Sequence, residues 1–194
     1  MNAERIRTEI DGFKENKPEE LDGEYITSIT NAGKVITKGS EVDYMWKETD
    51  AQKITGGVCS VDAEVDEFIC HVGLLTCDGN SGADLPFSPD LKYSVTGEYV
   101  WELDDMAIYL NSSYVYTDEI FAGAPGADAT AVTLLPDYAI LNASLAFSFD
   151  DDNYRISIIG KNLTDESYVT TYSGGNFRYQ IPRDADRYFG VQLR

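Results

Sequence analysis

The chain has a single histidine, His71, and only 15 Lys and Arg against 34 Asp and Glu. With one imidazole and no nucleophile set beside a base and an acid, no convergent catalytic constellation is present, and an enzyme is not expected. The net charge of −19 argues against a nucleic-acid partner, because phosphates would be repelled. Nowhere do eighteen apolar residues run together, so no transmembrane helix is expected. The opening "MNAERIRTEIDGF" lacks the apolar core of a signal peptide; a mature secreted protein or an internal piece of a longer one would read the same way. Phosphate-cradling loops are also missing, since no helix follows the glycines of "FAGAPGAD". No segment has convincing helical periodicity.

Cysteine is sparse as well. There are three, Cys59, Cys70 and Cys77, and an odd number makes a poor disulfide framework. Cys70 and Cys77 are the candidate pair in an oxidising compartment, because closing so short a loop costs little entropy. Cys59 has no assigned role. His71 follows Cys70, but the paired short spacings of a zinc site are absent, so no metal is expected. The acidic run at 150–153 lacks the glycine and distal glutamate of a calcium loop and reads as a solvated turn. No cofactor is implied.

What the chain does have is alternation with a period of two. In "YAILNASLAFSF" Leu141, Ala143, Leu145, Phe147 and Phe149 share one face, opposite Asn142, Ser144, Ala146 and Ser148. In "KYSVTGEYVWEL" Tyr93, Val95, Tyr99, Trp101 and Leu103 oppose Lys92, Ser94, Thr96, Glu98 and Glu102. The same rule places Val42, Tyr44 and Trp46 against Glu41 and Asp43, and Phe189, Val191 and Leu193 against Gly190, Gln192 and Arg194. Eight strands are predicted, at 3–12, 24–47, 51–64, 89–103, 106–118, 136–149, 153–162 and 186–194. The second is over-long and is expected to project beyond a bilayer or to break near Asn31-Ala32-Gly33.

Short acidic turns ("ETDA", "LDDM", "FDDDN") alternate with long irregular stretches at 13–23, 65–88, 119–135 and 163–185. Short turns at one end, long loops at the other and alternating strands of about ten residues are the sequence signature of a transmembrane β-barrel. Thirteen tyrosines suit the interface between lipid and water. A soluble antiparallel barrel or sandwich also alternates, and on pattern alone it stays open.

Four stretches carry a family resemblance. "PDYAILNASLAFSFDDDNYRISIIGKNLTDESYV" resembles the penultimate hairpin of TonB-dependent outer-membrane receptors, where an Asn-Leu-Thr-Asp-x-x-Tyr motif follows the ascending strand. "IPRDADRYFGVQLR" resembles their last strand. "NAGKVITKGSEVDYMW" is similar to their Asn-x-Gly strand with a later Gly-x-Glu, and "LPFSPDLKYSVTGEY" to their Leu-Pro-x-x-Pro strand entry. The resemblance implies an all-β fold, an antiparallel transmembrane β-barrel segment of about eight strands with short periplasmic turns and long extracellular loops. It implies a place in the Gram-negative outer membrane and uptake of a ferric siderophore, cobalamin or an oligosaccharide. It makes Asn162, Leu163, Thr164, Asp165, Tyr168, Gly39 and Glu41 structural motif residues.

Substrate contacts are expected in or beside the long loops, at Tyr114, Tyr116, Phe121, Tyr172 and Phe177; Tyr114 and Tyr116 read equally well as interfacial residues. Glu41, Asp43, Glu98, Glu102, Arg155 and Lys161 are expected to line the lumen or touch a plug. The family's barrel has about twenty-two strands around a plug domain, and its chain usually ends in an aromatic residue. The expectation is therefore a C-terminal barrel segment over 1–194, without the plug and most strands. Its implied partners are membrane lipid, the rest of the barrel, a small-molecule substrate and, through the plug, an inner-membrane energy-transducing complex. A small self-contained barrel serving as an anchor or adhesin, and a soluble ligand-binding β-barrel, are the rivals.

Overall fold

The computed structural model describes residues 1–21, 24–68, 81–123, 133–150, 153–172, 179–182 and 185–194. Among the described residues thirteen strands occur in chain order: β1 (Asn2–Leu21), β2 (Glu24–Thr49), β3 (Gln52–Phe68), β4 (Ala83–Asp84), β5 (Leu91–Leu103), β6 (Met106–Thr117), β7 (Ile120–Phe121), β8 (Leu134–Leu135), β9 (Tyr138–Phe149), β10 (Tyr154–Lys161), β11 (Thr171–Tyr172), β12 (Tyr179–Gln180) and β13 (Tyr188–Leu193). No helix occurs among the described residues. The eight long strands form one antiparallel meander in the order β1-β2-β3-β5-β6-β9-β10-β13, with β4 added to β3. β1 and β13 do not pair with each other, so the sheet is open and no closed barrel forms.

Each of the eight predicted strands is present, but the first runs further than expected. Residues 13–21, read as an irregular stretch, continue β1 and pair with β2 as far as Leu21 opposite Glu24. The ladder accommodates this through irregularities between Asp11 and Lys14, next to Gly12 at φ 69° and Gly33 at φ 123°. Only glycine takes such angles freely, and a side chain on Gly33 would collide with the Glu67 carbonyl. The expected break near Gly33 is thus a bulge within a projecting hairpin. The other long stretches, expected to be irregular, hold short ladders of their own: β3 extends to Phe68 and takes on β4, β7 pairs with β8, and β11 pairs with β12.

Antiparallel register puts directly opposed residues on the same face. One face carries Val58, Val95, Trp101, Leu103, Leu110, Ile156, Ile158, Phe189, Val191 and Leu193, all exposed. We call this face outward. The inward face carries Ser148, Thr117 and Ala146, all buried, together with Lys53 paired to Glu98 at 3.4 Å and Arg155 set 4.3 Å over the Tyr109 ring. Among the described residues the largest fully buried side chains are Leu135, Val35 and Val65, and they sit in the projecting and loop regions. A continuous apolar surface on the outside and polar residues within invert the usual arrangement of a water-soluble sheet and match a lipid-facing wall.

One rung of the ladder records the strand tilt. Trp46, Ile54, Gly97, Ser112, Ala143, Gly160 and Phe189 are opposed in succession across seven strands. At β2 this rung lies close to the short turn after Thr49; at β10 it lies just before the strand ends at Lys161. Such stagger is what tilted strands require when they wrap into a wall.

The two faces make opposite predictions for a buried charge. Leu110→Arg, on the outward face, is expected to destabilise the barrel by about 2–4 kcal/mol in phospholipid vesicles, while Asn111→Arg next to it on the inward face is expected to cost far less. Urea titration of the full-length protein refolded in vesicles measures both; equal losses would contradict the assignment of faces.

Candidate functional site

Among the described residues a dense hydrogen-bonded corner lies where β9, β10 and β13 reach their outer ends. The chain leaves β10 at Asn162, which adopts φ 47° and so turns out of the strand. Asparagine tolerates this left-handed conformation because its short amide can bond locally. Its backbone N–H donates to Asn142 Oδ1 at 3.0 Å, tying it back to β9. Its Nδ2 donates to the Glu166 carbonyl at 2.8 Å and, closer still, to the Ala185 carbonyl. Its Oδ1 accepts from the Glu166 N–H at 3.0 Å and lies 3.0 Å from Thr164 Oγ1, whose single proton it shares with the Ala139 carbonyl. Both donors of the amide are used and its oxygen accepts a backbone N–H, and the residue is 3% exposed.

The rest of the motif fastens the same corner. The Leu163 N–H donates to the Leu141 carbonyl at 2.7 Å, and Thr164 Oγ1 donates to the Ala139 carbonyl at 2.9 Å, so the segment keeps following β9 after the strand has ended. The Leu163 side chain lies over Gly160, filling the space where a Cβ would go. Asp165, at φ 57°, donates its N–H to the Asn162 carbonyl and pairs its carboxylate with Arg187 at 3.0 Å. Tyr168 stacks on Tyr138 with ring centroids 4.5 Å apart. Both ends of the connection from 162 to 187 are therefore held at one point, by Asn162 on one side and by Ala185 and Arg187 on the other. Beneath it, on the inward face, a small cavity is lined by Ile140, Asn142, Lys161, Asn162, Tyr168 and Tyr188. The motif residues were identifiable from sequence; their partners Asn142, Ala185 and Arg187 were not, being brought in from β9 and from the segment before β13.

The remaining predicted residues lie apart from this corner. Gly39 and Glu41 are on the inward register of β2, Gly39 opposite Ile6 and Val61, Glu41 opposite Glu4 and Cys59. A Cβ on Gly39 would lie 2.7 Å from the Ser60 carbonyl, so close strand approach requires glycine there. Cys59 is a free thiol on the inward face. Asp43, Glu98, Glu102, Arg155 and Lys161 share that face, as alternation implied. Tyr114 and Tyr116 face outward, where Tyr93 lies 6.1 Å from the Tyr114 ring and 5.0 Å from the Tyr116 ring. The Tyr116 hydroxyl lies 3.2 Å from a carboxylate oxygen of Asp118 and of Asp137, between which it shares its one proton. Apolar rings stacked together, with one hydroxyl held by carboxylates, suit the boundary between lipid and water.

Phe121 pairs with Leu134 in the β7–β8 ladder, and its carbonyl accepts from the Phe87 N–H at 2.8 Å, which anchors that loop to the entry of β5. Tyr172 is opposite Tyr179 in the β11–β12 ladder. Phe177, Cys70, Cys77 and His71 lie outside the described residues. At the loop before β5, burial pushes the carboxyl of Asp90 up from its ordinary value, and Asp84, Asp118 and Asp62 nearby add to this. Among the described residues no group of three or more His, Cys, Asp or Glu side chains is placed to hold a metal ion.

This geometry has counterparts. The family model described as TonB dependent receptor-like, beta-barrel matches residues 4–163. The ferric yersiniabactin uptake receptor of Yersinia pestis superposes with a TM-score of 0.75 at 18% identity, over 98% of this chain and 26% of that one. A siderophore receptor from Acinetobacter baumannii gives 0.71 at 20% identity, over 98% and 25%. The ferric-catecholate import receptor of K12 E. coli, in its closed form, gives 0.66 at 21% identity, over 98% and 24%. The chain thus spans about a quarter of the length of these solved receptors. No curated protein matches the sequence.

Replacing Asn162 by Ala removes a buried amide and leaves the Ala185 and Glu166 carbonyls without their donor. A loss of about 1–3 kcal/mol is expected, together with faster proteolysis between 163 and 185. Asn162→Asp is expected to be at least as damaging, because a carboxylate would face those two carbonyls. Denaturant titration and limited proteolysis of the full-length protein check both; unchanged cleavage would mean that the loop is held elsewhere.

Proposed function

Because the chain belongs to the TonB-dependent receptor-like β-barrel family, we propose that it is the C-terminal barrel segment of an outer-membrane receptor that imports a ferric siderophore. The observation that carries the proposal is the pairing of an exposed apolar outward face with an open-edged sheet. Two unpaired edges are costly in hydrocarbon, since no water is present to satisfy their N–H and C=O groups. Further strands of the same polypeptide, closing the wall around a plug, meet that requirement. The siderophore assignment draws on the solved receptors of like fold, which are receptors for such ligands.

In this reading the long connections between β3 and β5, between β6 and β9 and between β10 and β13 face the outside of the cell and contribute to capture. Phe121, Tyr172 and Phe177 are the proposed aromatic contacts. Tyr114 and Tyr116 seat the wall at the membrane surface. The inward Glu41, Asp43, Glu98, Glu102, Arg155 and Lys161 line the lumen against the plug. The Asn162 corner fixes where the last loop begins and ends. Release into the periplasm draws on the inner-membrane energy-transducing complex, acting on the plug.

The test is growth. In a Gram-negative strain stripped of its own iron receptors, the complete parent gene is expected to restore growth on a ferric siderophore as sole iron source, and only while the energy-transducing complex is present. Phe121→Ala is expected to weaken uptake without changing the amount of folded receptor. Uptake of radiolabelled cobalamin instead of iron would leave the transport reading standing and remove the siderophore. Growth that does not depend on the gene would remove both.

A further inference from the structure

The cavity beneath the Asn162 corner has a chemistry of its own. One rung of the inward face forms its wall: Lys161, the last residue of β10, is opposed to Tyr188 of β13, and it follows the Gly160–Ala143 pair, which brings it beside Asn142 of β9. Tyr168 lines another side, its ring backed by Tyr138 at 4.5 Å. The volume is about 150 Å³, and a cavity of that order holds one benzene ring. Lys161 and Tyr188 stay exposed, so the slot opens on the inward side. Lys161 makes no ion pair among the described residues. Asn142 commits its Oδ1 to the Asn162 N–H at 3.0 Å and keeps two N–H donors on Nδ2. Among the described residues none of the lining side chains is acidic, and the neighbouring Asp165 is paired with Arg187 at 3.0 Å.

We propose that this slot binds a single aromatic ring bearing an anionic oxygen, a phenolate or a carboxylate, on the molecule that the receptor takes up. The source of that ring rests on the transport reading above; the slot and its donors stand without it. The ring lies against Tyr168, Tyr188 and the Ile140 side chain. Its oxygen meets the Lys161 ammonium and the Asn142 amide, in charge-assisted hydrogen bonds. A neutral sugar would need acceptors as well as donors, and the charged groups here only donate. In a chain of net charge −19, most of the wall repels an anion, so one unpaired cation in an acid-free slot selects the place where it settles.

The test uses the full-length protein folded in detergent, with folding checked by the shift of its gel band on heating. Three probes are titrated by saturation-transfer NMR: 2-hydroxybenzoate, benzyl alcohol with a ring but no charge, and cyclohexanecarboxylate with a charge but no aromatic ring. 2-Hydroxybenzoate is expected to bind at least about tenfold more tightly than either, the worth of one charge-assisted hydrogen bond. Lys161→Gln is expected to abolish that preference over benzyl alcohol, and Tyr188→Leu the preference over cyclohexanecarboxylate. Lys161→Arg keeps the charge and is expected to keep most of the binding, and Lys47→Gln, at the short turn after β2, all of it. Lys161→Gln retains a long side chain at an exposed position, so its folded band is expected to persist. Equal binding of the three probes, or a Lys161→Gln protein that binds like the original, would overturn the proposal. Uptake of a ferric chelate by the parent gene alongside that failure would leave the transport reading standing. The expected binding pattern without any uptake would support the slot and remove the transport reading instead.

Discussion

Backbone hydrogen bonding in a medium without water is the constraint on which this structure depends. Every N–H and C=O placed in hydrocarbon needs a protein partner, and a meander of long antiparallel strands supplies one for all but the two outermost strands. That requirement explains why the ladders run without interruption through the apolar band, and why the irregularities near Gly12 and Gly33 fall in the projecting hairpin. It also explains why the side chains contribute so little to a conventional core. Val35, Val65 and Leu135 are buried outside the band, while Leu110, Ile156 and Val191 stay exposed for lipid to cover.

The same constraint shapes the corner at Asn162. A strand leaving the membrane must stop pairing without stranding its last polar groups. Here one amide takes over the hydrogen bonding as β10 ends, and Thr164 and Leu163 continue to satisfy β9. The ion pair of Asp165 with Arg187 stands outside, where water weakens it, so the buried amide is the dominant fastening. A capture loop attached at a rigid base can vary in sequence without disturbing the wall.

How much of this could be read from the sequence depends on which interactions leave a local trace. Alternation in 138–149 and 91–103 is imposed residue by residue by lipid on one side and water on the other, so those strands and their faces were legible. The extension of β1 through "FKENKPEEL" was not, because backbone ladder bonds outside the membrane demand no alternation of side chains. The turn character of Asn162, Thr164 and Asp165 was legible from residue chemistry, while the roles of Ala185 and Arg187 depended on β13 folding back. Tyr114 and Tyr116 suited either a loop-edge contact or an interface. The register, which periodicity does not reveal, sets both beside Tyr93 on the outward face.

The tilted rung has a consequence for reading this wall. Trp46 and Phe189 stand in one hydrogen-bonded row, yet the first is near the short-turn end of its strand and the second near the outer end of its own. Neighbours in pairing are therefore not neighbours in depth. Lines of equal depth run diagonally across the ladder, and two side chains in the same row sit at opposite margins of the membrane, so the water they meet belongs to different compartments.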